Sequence, residues 1–275
     1  MNLTYIMFTK HLEGLDIDQI IQGLTSVGVQ GADLCVREGY PVTPSNVVDE
    51  MPNAARRFEE AGLSIPLVTA PGDFTTPDID YADRYYGACG QAGVGHIKLG
   101  YWNWTSGMRY WERLDEVRGY VEGFAKLSEK HGVKTVIHNH SGHSMGLNSV
   151  AAMNIVKGFD PAHVGVFTDP GHLAMCGEPI DMALDIVRDY VCILAFKDIL
   201  PQRNFGDPPG RPAQPVMRMG QGLVNWPLVI EGLRDLDFEG PVSFHSEYGG
   251  DPPETVIDLA RIDVRFFNSL LASSE

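Results

Sequence analysis

The sequence predicts one (β/α)8 barrel over residues 1–275, without a linker or a second domain. Three observations predict it. Short apolar runs alternate with segments of helical period along the whole chain, which implies parallel strands joined by right-handed crossovers. Eight such strand-helix pairs can be counted, the number that closes a sheet into a barrel. No Gly-x-Gly-x-x-Gly follows an early strand, so the rival open, doubly wound sheet lacks its phosphate-binding turn.

Each element has a local reason. The first strand is the apolar run 3–8, and a helix over 16–27 puts Ile17, Ile20, Ile21 and Leu24 on one face. Strand 32–36 precedes a helix opened by Thr43 as N-cap and Pro44 at the first helical position, which closes at Ala61-Gly62. After strand 65–69, Thr76-Pro77-Asp78 opens a helix running to residue 91, and strand 96–99 follows. The amphipathic segment 109–130 ends at His131-Gly132, with the glycine as C-terminal cap. Strand 134–138, helix 149–157, strand 164–168, helix 180–188 and strand 192–197 continue the alternation. A Pro/Gly-rich loop over 200–222 leads to a helix capped by Asn225-Trp226-Pro227, and strand 241–246 and helix 254–271 complete the count. The stretch 201–219 holds Arg203, Arg211 and Arg218 and is long for a barrel connection. It is expected to cover the site or to reach a neighbouring subunit.

Composition narrows the class. Hydrophobic residues at 44% and charged residues at 21% are ordinary globular values, which exclude disordered and fibrous chains. The apolar runs are strand-length, so no membrane association is expected. The N-terminal residues lack the basic region and small-residue cleavage site of a secretory signal. Cys35, Cys89, Cys176 and Cys192 show no close paired spacing and read as reduced, mostly buried thiols, which suits a cytoplasmic protein. A net charge of −15 repels a phosphate backbone, so nucleic acid is not an expected partner.

In such a barrel the reactive groups lie at the C-terminal ends of the strands. Five of the nine histidines fall there: His138, His140, His143, His172 and His245. Strand alternation puts His138 and His140 on one face, and likewise His245 and Glu247, and Ala195 and Lys197. Asp169 and His172 sit three residues apart in a turn after strand six, where both can reach one site. Imidazoles and carboxylates on adjacent strands are the donors a catalytic divalent metal needs. Lys197 is costly to bury without an anionic partner, so it contacts substrate or pairs with a carboxylate. Arg37 at a strand end suits a phosphate or carboxylate. Trp102 at a barrel mouth can stack on a sugar face or join a subunit contact. Lys98 and His140 complete the expected substrate-binding set of Arg37, Lys98, Trp102, His140 and Lys197.

His138-Asn139-His140, Asp169-Pro170-Gly171-His172, Lys197-Asp198, the run from Gly220 to Trp226, and Glu247 carry a resemblance across nearly the whole chain. In this order the sequence resembles the xylose-isomerase-like TIM-barrel superfamily of sugar phosphate isomerases and epimerases. Its members include ketose epimerases, hydroxypyruvate isomerase, inosose and dehydroshikimate dehydratases, and endonuclease IV. The resemblance implies a divalent metal (Mn, Co, Zn or Mg) held by Glu from strand five, Asp from strand six, His from strand seven and Glu from strand eight. Carried over by position, the Asp is Asp169 and the strand-eight Glu is Glu247. The strand-five position holds His138, and the strand-seven position holds Ala195, which has no coordinating atom. The expected metal set is therefore Asp169, Glu247, His138 and His245, the last replacing the lost imidazole from the next strand. The expected acid/base set is His138, Glu247 and His172. The implied function is a sugar or sugar-derivative isomerase or epimerase, with a small carbohydrate as partner and a homodimer or homotetramer as assembly. Elimination on the same scaffold and a non-catalytic sugar-binding relative are the alternatives. A trinuclear-zinc nuclease is disfavoured by the charge and by too few histidines.

Overall fold

The computed structural model describes residues 1–203, 205 and 213–273. Among the described residues there are ten strands and nine α-helices. The strands are β1 (Asn2–Phe8), β2 (Gly31–Cys35), β3 (Ser64–Thr69), β4 (His96–Lys98), β5 (Lys134–His138), β6 (Val164–Thr168), β7 (Val191–Phe196), β8 (Asp198–Ile199), β9 (Val216–Met217) and β10 (Glu239–Phe244). The helices are α1 (Ile17–Val27), α2 (Val47–Glu60), α3 (Ala82–Gln91), α4 (Tyr110–His131), α5 (Ser149–Val156), α6 (Pro170–Met175), α7 (Ile180–Ile186), α8 (Trp226–Asp235) and α9 (Pro253–Ser273).

Eight strands close in the order β1-β10-β7-β6-β5-β4-β3-β2, all neighbours parallel, as the alternation predicts. Strands in such a sheet are buried on both faces, which is why they read as apolar runs rather than as alternating patterns. The barrel interior holds Ile6, Leu67, Val136, Phe167, Ile193 and Ala195, packed together below the mouth. A larger apolar shell lies between the sheet and the helices, with Phe58, Phe124, Trp226 and Phe267 fully buried in it. No helix among the described residues is long and apolar enough to cross a membrane.

Local chemistry explains most element ends. Asp16 and Gln19 form a capping box on α1, and Gly28 ends it in the left-handed conformation that glycine adopts without strain. Gly132 does the same for α4. Two helix starts differ from expectation. Helix α2 begins at Val47, because the Asn46 side chain accepts from Thr43 N and donates to Pro41 O, which spends residues 41–46 on a turn. Helix α3 begins at Ala82, since the Thr76 hydroxyl accepts from Asp78 N and the chain keeps turning until Ile79 O accepts from Ala82 N. The turn expected after β6 is itself a short helix, α6, capped by Asp169 with Pro170 in its first turn.

The described residues of the long connection after β7 include a hairpin. Strands β8 and β9 pair antiparallel, and Gln202 bridges Ala213 beyond them. Arg211 of the expected covering loop lies outside the described residues.

Candidate active site at the barrel mouth

A concave cavity of about 110 Å³ opens at the C-terminal ends of the strands. It is lined by Lys10, Arg37, Lys98 and Lys197, by His138, His140 and His245, and by Glu247, with Phe8, Phe167, Tyr101 and Thr69 as walls. Four basic side chains and three imidazoles thus face one small space in a chain whose overall charge is −15.

The wall formed by β6, β7 and β10 is a charged nest. Asp169 caps α6, its Oδ1 accepting from His172 N at 3.1 Å. Asn139 clamps the backbone of Asp169 from both sides, accepting from its N at 2.7 Å and donating to its O at 3.3 Å. Gly171 is required because a Cβ there would lie 2.6 Å from Lys197 O, so α6 packs against the end of β7 only with glycine at this position. The Asp-Pro-Gly-His run therefore aims Asp169 and His172 at Lys197. The Lys197 ammonium donates to His172 Nε2 at 2.9 Å and Glu247 Oε1 at 3.0 Å, and lies 3.2 Å from Asp169 Oδ2. The other ring nitrogen of His172 bonds Ser141 Oγ at 2.9 Å.

Burial alone would lower the Lys197 ammonium and raise the two carboxyls. The mutual attraction of Lys197 with Asp169 and Glu247 outweighs it. Lys197 is held above the usual lysine range, and Asp169 and Glu247 well below the usual carboxylate range. Burial, reinforced by the neighbouring ammonium, keeps His172 neutral.

His138 stacks on Phe167 and has both nitrogens engaged, with Tyr101 Oη at 2.8 Å and Asp169 Oδ2 at 3.3 Å. Burial pushes its pKa down to about 3. His140 packs against His172, with ring centres 3.8 Å apart and the rings tilted by 39°. His245 lies deeper. Its Nε2 meets Asp33 Oδ2 at 3.3 Å, and its Nδ1 is 3.5 Å from Glu247 Oε1. Burial opposes the imidazolium, yet Asp33 and Glu247 raise its pKa above the ordinary value.

The opposite wall differs. Lys98 is 7% exposed, and its ammonium lies 3.8 Å above the Tyr101 ring with no ion-pair partner among the described residues. Burial lowers its pKa to about 7. Arg37 donates to Cys35 Sγ and spans the rim beside Tyr40.

Most of the residues named from sequence do converge here: Arg37, Lys98, His138, His140, Lys197, His245 and Glu247 line the cavity, and Asp169 and His172 stand directly behind it. Trp102 does not. Its indole turns into the apolar shell and donates to Thr75 O at 2.7 Å, while its neighbour Tyr101 faces the cavity. His143 stacks on Trp104, outside the cavity lining. Sequence reasoning missed Asn139, Tyr101, Asp33 and Lys10. Asn139 stood inside a recognised run, whereas Lys10 follows β1 in a short 3-10 turn and carries no local signal.

The expected metal set is not assembled. Asp169 and Glu247 both point at Lys197 Nζ, His245 turns its Nε2 to Asp33, and Ala195 lies in the apolar layer beneath. No group of three or more His, Cys, Asp and Glu side chains among the described residues is disposed to hold a metal ion. The residues present do not fit one, because an ammonium occupies the point where the carboxylates meet.

The family model of xylose isomerase-like TIM barrels matches residues 22–269. The chain belongs to that family. A sequence comparison with curated proteins finds no significant match. The barrel resembles 3-keto-D-glucoside 4-epimerase YcjR from E. coli, at 15% identity and a TM-score of 0.73 over 98% of this chain and 100% of that one. It also resembles the probable 3-DHS dehydratase AsbF of Bacillus anthracis, at 14% identity and 0.74 over 98% and 99%. A third likeness is to the IolI protein, solved with a zinc atom, at 16% identity and 0.75 over 97% and 98%. These likenesses establish the fold. The landmarks of the family then acquire reasons. Asp198, next to Lys197, faces outward and accepts from Gly220 N, Val224 N and the Trp226 indole, which pins the glycine-rich run to the barrel.

Proposed function

We propose that the protein is an isomerase or epimerase of a sugar or sugar derivative, moving a proton at a carbon next to a carbonyl. The observation that carries this reading is the pairing of fixed cations with one buried amine, Lys98, whose pKa burial lowers to about 7, around a single cavity. Lys10, Arg37 and Lys197 supply positive charge for the oxyanion that forms when such a proton leaves. Lys98, whose pKa is about 7, can take the proton and return it. A polyhydroxylated substrate suits the lining, since His140, Tyr101 and Thr69 offer hydrogen bonds and Phe8 and Phe167 offer flat apolar walls. In this scheme His138, His172 and Glu247 position Asp169 and Lys197 rather than carry the proton themselves, because their ring nitrogens and carboxylate oxygens are already engaged.

Elimination is the second reading, and one observation favours it. His138, at the end of β5, has no free nitrogen. A single free base on one face suffices to remove water next to a carbonyl, whereas two-faced epimerisation calls for a second.

The test is incubation of the purified protein in deuterium oxide with keto- and aldo-sugars, free and phosphorylated. Deuterium at the carbon beside the carbonyl of recovered substrate or product is the expected result. An enone product instead of a deuterated sugar moves the assignment to a lyase. No exchange and no product across the panel would overturn both.

A further inference from the structure

We infer that the Lys197 ammonium takes the seat of a divalent cation at this mouth, so that the site carries its cation as part of the chain. This deepens the proposed function and rests on that reading for its chemical meaning, though not for its test.

Three acceptors from two elements converge on one point: Asp169 Oδ2 from the start of α6, His172 Nε2 from within α6, and Glu247 Oε1 from beyond β10, at 3.2, 2.9 and 3.0 Å from Lys197 Nζ. One neutral imidazole and two carboxylates would be a credible metal set. Their spacing is that of hydrogen bonds to an ammonium, wider by about 1 Å than the ~2.0–2.2 Å of zinc to nitrogen or oxygen. An ammonium has three N–H groups, and all three are matched here. Ala195, two residues earlier in β7, offers no further donor or acceptor; it is 0% exposed and packed with Ile193 and Phe167. Lys197 belongs to a run that matches the family, whereas Ala195 departs from it: the alanine withdraws the imidazole that would have joined the two carboxylates, and the ammonium supplies the positive charge where they meet.

The arrangement also says how substrate is met. Of the three acceptors only Glu247 lines the cavity. A substrate oxygen therefore approaches Lys197 by displacing Glu247, which keeps Lys10 as its second partner at 2.6 Å.

The full chain and its Lys197→Ala variant decide the matter by metal content and by thermal unfolding, with millimolar MnCl2 or ZnCl2 against EDTA. The wild type should hold no stoichiometric metal after dialysis and unfold at the same temperature in all three. Lys197→Ala empties the seat. Its unfolding temperature should rise with Mn or Zn by on the order of 5 °C, as for a ligand at about 100 times its dissociation constant. That gain should vanish when Asp169→Asn is added. Stoichiometric metal in the wild type that is lost in Asp169→Asn would overturn the inference, and so would a Lys197→Ala protein that gains nothing from either ion. If Lys197→Ala does not fold, the wild-type titration decides alone. Neither arm reads turnover. Failure of every sugar assay would remove the functional reading and leave this result standing, whereas sugar turnover abolished by EDTA and restored by Mn would do the reverse.

Discussion

Lys98 and Lys197 face the same cavity from strands three apart around the barrel, at nearly equal depth, 7% and 5% exposed. One sits over an aromatic ring with no ion-pair partner among the described residues, and the other sits between two carboxylates. Burial acts on both in the same direction. It prevails at Lys98 and is overruled at Lys197, so one mouth holds an amine that titrates near neutrality and an ammonium that does not. A buried lysine is therefore defined by its neighbours rather than by its depth, and a division of labour between proton carrier and fixed charge follows from where the carboxylates were placed.

The largest effect should come from removing the fixed charge. Lys197→Ala leaves Asp169 and Glu247 buried without their common partner, and should cost about 3–5 kcal/mol in urea unfolding. Lys98→Met removes an amine with no ion-pair partner among the described residues and replaces it with an apolar chain of similar length, so its cost should stay below about 1.5 kcal/mol. Equal costs would erase the distinction between the two lysines. Turnover reverses the emphasis: once a substrate is found, Lys98→Met should lower kcat by about 100-fold or more while leaving the fold intact.

The pH dependence sharpens the contrast because the two linkages have opposite signs. Between about 7 and the usual lysine value of 10.5 the unfolded chain binds a proton at position 98 that the folded chain does not. Stability should therefore rise with pH across that window, and Lys98→Met should remove that slope from a series of urea titrations. Lys197 has a folded pKa above its unfolded one, so its contribution is complete below the unfolded value and is lost only as pH rises through the folded one. In kinetics, the rate should climb through pH about 7 with a limb that Lys98→Met abolishes. The smallest effect is expected from Tyr101→Phe. It deletes the hydroxyl bonded to His138 Nδ1 but keeps the ring under Lys98, and should cost about 1 kcal/mol with little movement of that limb.

The barrel itself was legible, because each strand is an apolar run and each helix carries its own period and caps, as at Asp16 and Gly132. The position of the site followed from the fold, and the histidines, Asp169 and Glu247 followed from strand ends. What the sequence could not show were the relations between distant side chains. Thr43-Pro44 reads as a helix start until Asn46 is seen to close a turn over it. Trp102 and Tyr101 are adjacent aromatics, and only the path of the chain after β4 decides which faces the cavity. Ala195 read as the loss of a ligand because Lys197, two residues on, could be located among its acceptors only once β7, α6 and β10 were brought together.

The contact between Asp198 and Gly222 carries a consequence for how this barrel can change over time. The Asp198 carboxylate holds four donors, and any side chain at 222 would overlap it. A larger residue at 222 is tolerable only after the carboxylate has gone, and losing the carboxylate first releases the loop it pins. Neither position offers a neutral first step, so lineages descending from this chain inherit the pair as a ratchet, while exposed positions of the neighbouring helices remain free to drift.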